Sequence, residues 1–204
     1  MAGVSAQNGW SKLLESNPGH SQWYVDRFRS LARDGADLDG EARLVDAMLP
    51  RTARVLDAGC GPGRVGAALA AAGHDVVGVD LDPVLIDAAR QDHPGPRWLV
   101  GDLAGLDLPA QGITDGFDAI VSAGNVMTFL APDTRREVLR RMRLHLRDGG
   151  RIAVGFGTDR GYPVTDFLAD THAADLVEDL LLATWDLRPY RDDSDFLVAV
   201  LRPA

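Results

Sequence analysis

Between Arg54 and Asp80 the chain reads RVLDAGCGPGRVGAALAAAGHDVVGVD. An apolar run carrying Val55 and Leu56 passes through Asp57 into a loop with glycine at 59, 61 and 63. An alanine-rich segment follows, then a second apolar run that ends in Asp80. The order is strand, glycine loop, helix, strand. Glycines at such a turn give the backbone positive φ and let a ligand approach main chain that a Cβ would block. A carboxylate at the tip of the next strand is placed to accept hydrogen bonds from a ribose diol. The chemistry implied is the binding of an adenosine-containing cofactor.

The stretch can be read in two frames. From Gly61 it is G-P-G-R-V-G, a formal match to the G-x-G-x-x-G of NAD and FAD sites. From Asp57 it is D-x-G-x-G-x-G, which resembles motif I of class I S-adenosylmethionine (SAM) dependent methyltransferases. The second frame is preferred. A dinucleotide loop should begin directly after its strand, yet Asp57-Ala58-Gly59-Cys60 intervene, and Asp57 would set a carboxylate near an incoming pyrophosphate dianion. Zwitterionic SAM tolerates that carboxylate. The resemblance implies that the Gly59 carbonyl and the backbone at Ala123 or Gly124 take the methionine ammonium. It implies that N–H groups around Gly61 and Gly63 face the methionine carboxylate, that Asp80 takes the ribose, and that Asp102 and Leu103 meet the adenine with Leu81 on the other side of the ring. A carboxylate can accept from adenine N6 but not from N1. Asp57 is expected to fix the loop by bonding its amides, and Cys60 to pack within it.

Methyl transfer from a sulfonium needs positioning, desolvation and, for a protonated acceptor, a general base. Candidates for that base are His20, Tyr24, Asn125, His145 and His172, none of them compelling. His145 falls near a helix C-terminus, where a cation is welcome. His20, Trp23 and Tyr24 fall on an amphipathic helix, where aromatics commonly pack. Asn125 sits in Ala123-Gly124-Asn125-Val126, which lacks the stacking aromatic of the amino-group nucleic-acid methyltransferase motif. No cluster of Asp, Glu or His has metal-ligand spacing, so no metal is expected.

These residues need elements to hold them. Helical spacing predicts a turn over 10–15 and helices over about 21–32 and 39–48; the first eight residues are expected to be disordered. Further helices are expected over 65–72, over 83–91 with Asp82 as N-cap and Pro83 at its first position, and over 133–146 and 164–174. Strands are expected over 75–80, 97–100, 119–122, 151–156, 180–187 and 196–201. The last two, joined by a short loop, must be antiparallel. The fold class expected is α/β: a Rossmann-like, doubly wound, mostly parallel seven-stranded sheet closed by a C-terminal antiparallel hairpin, as the class I methyltransferase fold resembles. Residues 1–50 are read as an N-terminal helical lid and 51–204 as the SAM-binding domain.

Composition narrows the partners. A chain of 204 residues, 46% hydrophobic and 25% charged, supports one sizeable α/β core. A net charge of −9 argues against a broad phosphate-binding face, so no nucleic acid partner is expected, and the arginine row on 133–146 is read as a solvated helix face paired with nearby acids. There is no apolar run of membrane-spanning length and no basic-then-apolar leader, so a cytoplasmic location and no membrane partner are expected. One cysteine excludes an internal disulfide framework. The reading is a SAM-dependent methyltransferase acting on an unidentified small-molecule substrate. An NAD(P)-binding oxidoreductase using the Gly61 frame and a SAM-binding protein without turnover remain as alternatives. Oligomeric state is not readable.

Overall fold

The computed structural model describes residues 7–204. The expectation of disorder at the N-terminus falls, for residues 1–6, outside the described residues. Three helices precede the sheet: α1 (Gly9–Ser16), α2 (His20–Arg33) and α3 (Gly40–Ala47). The Asn8 side chain caps α1 by accepting the Trp10 N–H at 2.8 Å. The remaining elements are β1 (Arg54–Ala58), α4 (Arg64–Ala71), β2 (Asp75–Asp80), α5 (Pro83–Asp92), β3 (Arg97–Val100), β4 (Phe117–Ser122), α6 (Val126–Phe129), α7 (Arg135–Leu144), β5 (Leu146–Gly157), α8 (Val164–Ala173), β6 (Leu176–Leu182) and β7 (Phe196–Pro203).

The sheet order is β3-β2-β1-β4-β5-β7-β6, and β7 alone runs against the other six strands. This is the doubly wound sheet with a late antiparallel hairpin that the sequence implied. Neighbouring strand residues point to opposite faces, so Val55, Val76 and Val121 pack under α3 and α4 while Leu56, Val77 and Ile120 pack under α7 and α8. Both faces are covered. The strand order reverses between β1 and β4, which opens a crevice beyond their carboxyl ends. No described helix is long and apolar enough to cross a membrane.

Three boundaries differ from the sequence expectation. The helix expected over 133–146 is a 3-10 turn at Pro132–Thr134 followed by α7, and β5 begins at Leu146. Leu146 pairs with Phe117, then residues 147–150 bulge out before Arg151 meets Ala119. Asp148-Gly149-Gly150 therefore makes a bulge within a strand, with Gly149 at φ 76°, rather than the end of a helix. The strand expected over 180–187 is β6, which runs from Leu176 to Leu182. Its acidic first half, Glu178 and Asp179, disguises an edge strand; such charges protect an unpaired edge. The chain leaves the sheet after Leu182 so that Trp185 can lie against Gly155 of β5, where no Cβ would fit. The short helix α6 has no counterpart in the sequence reading. Four of the five arginines of α7 are paired with acids, Arg140 and Arg141 with Glu137 at 2.7 Å, Arg136 with Asp170 at 3.4 Å and Arg143 with Asp175 at 3.9 Å, while Arg135 lies 4.0 Å over the Tyr162 ring.

Candidate functional site

The glycine loop leaves β1 at Ala58. Gly59, Gly61 and Gly63 have φ of 82°, 55° and 86°, the left-handed region. At Gly59 a Cβ would run into Val126 of α6. At Gly63 a Cβ would stand 3.0 Å from both Ala89 of α5 and the indole of Trp98. Trp98, on β3, also lies against Gly66 and Gly78, and its indole N–H donates to the His93 carbonyl at 2.9 Å. The loop thus rests on an aromatic plate that only glycines can approach. Gly61 and Gly124 face the other way: their missing Cβ atoms would point at Tyr24, 3.8 Å from its ring and 3.9 Å from its hydroxyl. A narrow cleft separates the loop from α2.

Three acids stand at the strand ends. Asp57 is 2% exposed, and its Oδ2 accepts the Gly66 N–H of α4 at 2.9 Å. Burial pushes its pKa up to about 7, opposed by that hydrogen bond and by Arg64. Asp80 accepts the Gly61 N–H on Oδ2 at 2.8 Å and the Asp82 N–H on Oδ1 at 2.9 Å. Burial raises its pKa while these two bonds, and the Leu81 N–H beside them, lower it. The carboxylate keeps acceptor capacity for a ligand. Asp102 accepts the Ala104 N–H at 2.9 Å and so caps a turn while standing at the rim of the crevice. Cys60 is buried against Ile86, Ala89 and Trp98, and burial pushes its thiol up, which leaves it unreactive.

Aromatic residues roof the crevice. Trp10 of α1 meets Tyr24 of α2 and Phe129 of α6 edge-on at 5.7 and 5.6 Å, and Tyr24 meets Phe28 at 4.9 Å. Arg64 lies 5.4 Å over the Phe28 ring and pairs with Glu41 of α3 at 2.7 and 2.5 Å. Burial raises the pKa of Tyr24, so the phenol stays protonated at neutral pH.

One cavity brings together Asp57, Gly59, Cys60, Gly61, Asp80, Leu81, Asp102, Leu103, Ala123, Gly124 and Tyr24. Gly63 does not line it. The N–H of Gly63 donates to the Cys60 carbonyl at 3.0 Å and that of Gly61 is taken by Asp80, so neither expected donor is free for a carboxylate. Asp57 holds the first turn of α4 instead of the loop amides, which are taken elsewhere: Gly59 and Cys60 donate to the Val79 carbonyl, Gly61 to Asp80 and Gly63 to the Cys60 carbonyl. Asn125 adopts φ 67° and accepts the Gly157 N–H on Oδ1 at 2.8 Å, tying β4 to β5 outside the cavity. His20 stacks on Trp23 behind Trp10. His145 accepts the Leu108 N–H on Nε2 and donates from Nδ1 to the Arg141 carbonyl, so both ring nitrogens are used in tying the end of α7 to the loop before β4. His172 pairs with Glu178 on the surface. Sequence reasoning missed Trp10, Phe28, Arg64, Phe129 and Leu130 as wall residues. Of these only Arg64, inside the glycine motif, carried a local signal.

Residues 55–150 match the family model described as a methyltransferase domain. A TehB-like SAM-dependent methyltransferase from Corynebacterium glutamicum is 49% identical; the match covers 92% of this chain and 100% of that one, with a TM-score of 0.87. The chain belongs to the SAM-dependent methyltransferase family. SAM is its cofactor. A magnesium-protoporphyrin O-methyltransferase from Rhodobacter capsulatus is 34% identical over 140 residues, 65% of this chain and 57% of that protein. The chain spans little more than half the length of the curated relatives it matches. A SAM-bound amino pentose methyltransferase from Micromonospora echinaspora shares the fold, with a TM-score of 0.66 at 20% identity over 85% of this chain and 95% of that one.

Proposed function

We propose that this chain transfers the methyl group of SAM to a small-molecule acceptor bound under its aromatic roof. The observation that carries the reading is the cleft between Gly61, Gly124 and Tyr24, which a single added Cβ on either glycine would begin to fill. The residues around it suit the cofactor. Asp80 can accept from a ribose diol, Asp102 and Leu103 line the same cavity and suit an adenine edge and face, and the Gly59 carbonyl and the Ala123–Gly124 main chain can take an ammonium. The Asp57 carboxylate tolerates a cationic ligand where it would repel a pyrophosphate, which disfavours the dinucleotide alternative.

SAM, when bound, supplies an electrophilic methyl group on a sulfonium. The chain's own share is orientation and exclusion of water. Trp10, Tyr24 and Phe129 offer flat apolar surface, so the acceptor presents an apolar or aromatic body. Among the described residues lining the cavity the carboxylates are Asp57, Asp80 and Asp102, all engaged by backbone N–H groups, and Tyr24 is a phenol. The acceptor therefore arrives with its lone pair available, and Tyr24 acts as a hydrogen-bond donor. Relatives whose names specify a porphyrin and an amino sugar as acceptors are in keeping with a small molecule.

Calorimetric titration with S-adenosylhomocysteine (SAH), with NADH and NADPH in parallel, tests the reading. SAH alone should bind in the micromolar range, about −8 kcal/mol, and Asp80→Ala should lose at least ~1.4 kcal/mol, a factor of ten. Undiminished SAH affinity in that variant would remove the ribose assignment. Acceptor-dependent production of SAH from SAM separates an enzyme from a SAM-binding protein without turnover.

A further inference from the structure

We propose that Asp82 is a positioning residue that latches α1 and α2 over the cofactor site and thereby sets the orientation of Asp80. The inference rests on Asp80 as the ribose carboxylate. Asp82 does not line the cavity and is 3% exposed. Its Oδ1 caps α5 through the Val84 N–H at 2.8 Å. Its Oδ2 accepts the Trp10 indole N–H of α1 at 2.9 Å and the Ser21 hydroxyl of α2. Its own N–H holds Asp80 Oδ1 at 2.9 Å, and Asp80 in turn holds Gly61.

A buried carboxylate persists only when its lone pairs are satisfied, and the positive end of α5 favours the charge. Two of its three side-chain donors come from the roof. When α1 and α2 are docked, the carboxylate is fixed from three directions. The Leu81–Asp82 peptide that carries the Asp80 donor is fixed with it. When they lift, water must replace both roof donors and the peptide is held by the cap alone. Trp10 is itself a wall of the cavity, so the latch acts on the residue that would cover the bound ligand. Roof closure and Asp80 alignment become one event.

The test is stopped-flow and calorimetric SAH binding to Asp82→Asn, Trp10→Phe, Ser21→Ala and the Asp82→Asn/Trp10→Phe double variant, with ligand-free melting temperatures. Asparagine caps as well as aspartate, so the ligand-free melting temperature of Asp82→Asn should stay within about 3 °C of the parent. Its amide offers one acceptor oxygen, so it cannot keep Val84 and both roof donors at once. SAH should dissociate about tenfold faster, with association little changed. Trp10→Phe keeps an aromatic six-membered ring and loses the indole N–H donor; it should speed dissociation about threefold, and the double variant should be no faster than Asp82→Asn alone. Parental dissociation rates in all three single variants, a loss confined to association, or effects that multiply in the double variant would overturn the latch. If Asp82→Asn does not fold, Trp10→Phe and Ser21→Ala carry the same rate test with the carboxylate intact. Asp80→Ala separates the two levels: unchanged SAH affinity there removes the ribose reading, whereas weakened affinity there with parental rates in the latch variants removes the latch alone.

Discussion

Asp57 stands at the end of β1 as its motif implies, but its partner is the Gly66 N–H of α4 rather than the loop amides. Its carboxylate is buried beside α4 at the wall of the cavity, with the Gly66 N–H and Arg64 to offset burial, and its pKa is pushed up to about 7 from an ordinary 3.8. The folded state therefore holds the proton more tightly than the unfolded chain does. This stabilisation is complete below about pH 4 and is lost as pH rises through about 7. Asp57→Asn keeps an acceptor for Gly66 and removes the titration. Urea unfolding from pH 5 to 8 should show the parent losing stability relative to Asp57→Asn by up to ~1.4 kcal/mol per pH unit, levelling off above pH 7. A constant difference across that range would mean that Asp57 titrates as in the unfolded chain. The sequence reveals that an acid ends β1, because the motif is local. It does not reveal which amide the acid meets: Gly61 is claimed by Asp80 across β2, and only the folded loop decides that competition.

At the scale of elements, the glycine loop depends on a residue well outside its motif. Trp98 sits on β3 with its indole beneath Gly63, Gly66 and Gly78, and a side chain on any of the three would collide with it. Trp98→Ala should cost about 3–5 kcal/mol in denaturant unfolding. Because the cavity it leaves lies directly under the loop, SAH affinity should fall as well. A stability loss of that size with parental SAH affinity would show that the loop holds its shape without the plate. The sheet was readable from alternating apolar runs and glycine punctuation, and the helices from their caps. Asp82-Pro83 starts α5 where the N-cap and proline place it. The misplaced ends, at β5 and β6, are those where a distant partner decides: pairing with Phe117 draws Leu146 into the sheet, and the docking of Trp185 on Gly155 draws the chain out of it. The roof was read as helices of suitable spacing. Its contacts were not readable, since Trp10 meets Asp82 across 72 positions of sequence.

Across the whole molecule, stability is distributed unevenly in a way that matters for ligand exchange. β4 buries five of its six residues, whereas α1 buries none and α2 buries only Ser21 and Val25. The roof is held by aromatic edges, by the donors to Asp82, by Val25 packed on Leu85 and Ala88, and by the surface Arg29–Asp92 pair; with so few buried side chains it should open at a lower free energy than the sheet. If the open roof cannot retain SAH, saturation must suppress opening by the factor 1 + [L]/Kd, about 100-fold at 100 times Kd or ~2.7 kcal/mol. Hydrogen exchange with and without SAH should therefore show amides of α1 and α2 among the faster ones in the free protein and slowed by up to that factor in the complex. Central amides of β1 and β4 should exchange only with global unfolding in both samples. Roof amides as protected as β4 in the free protein, or unaffected by saturating SAH, would mean that the ligand enters and leaves past a roof that stays closed.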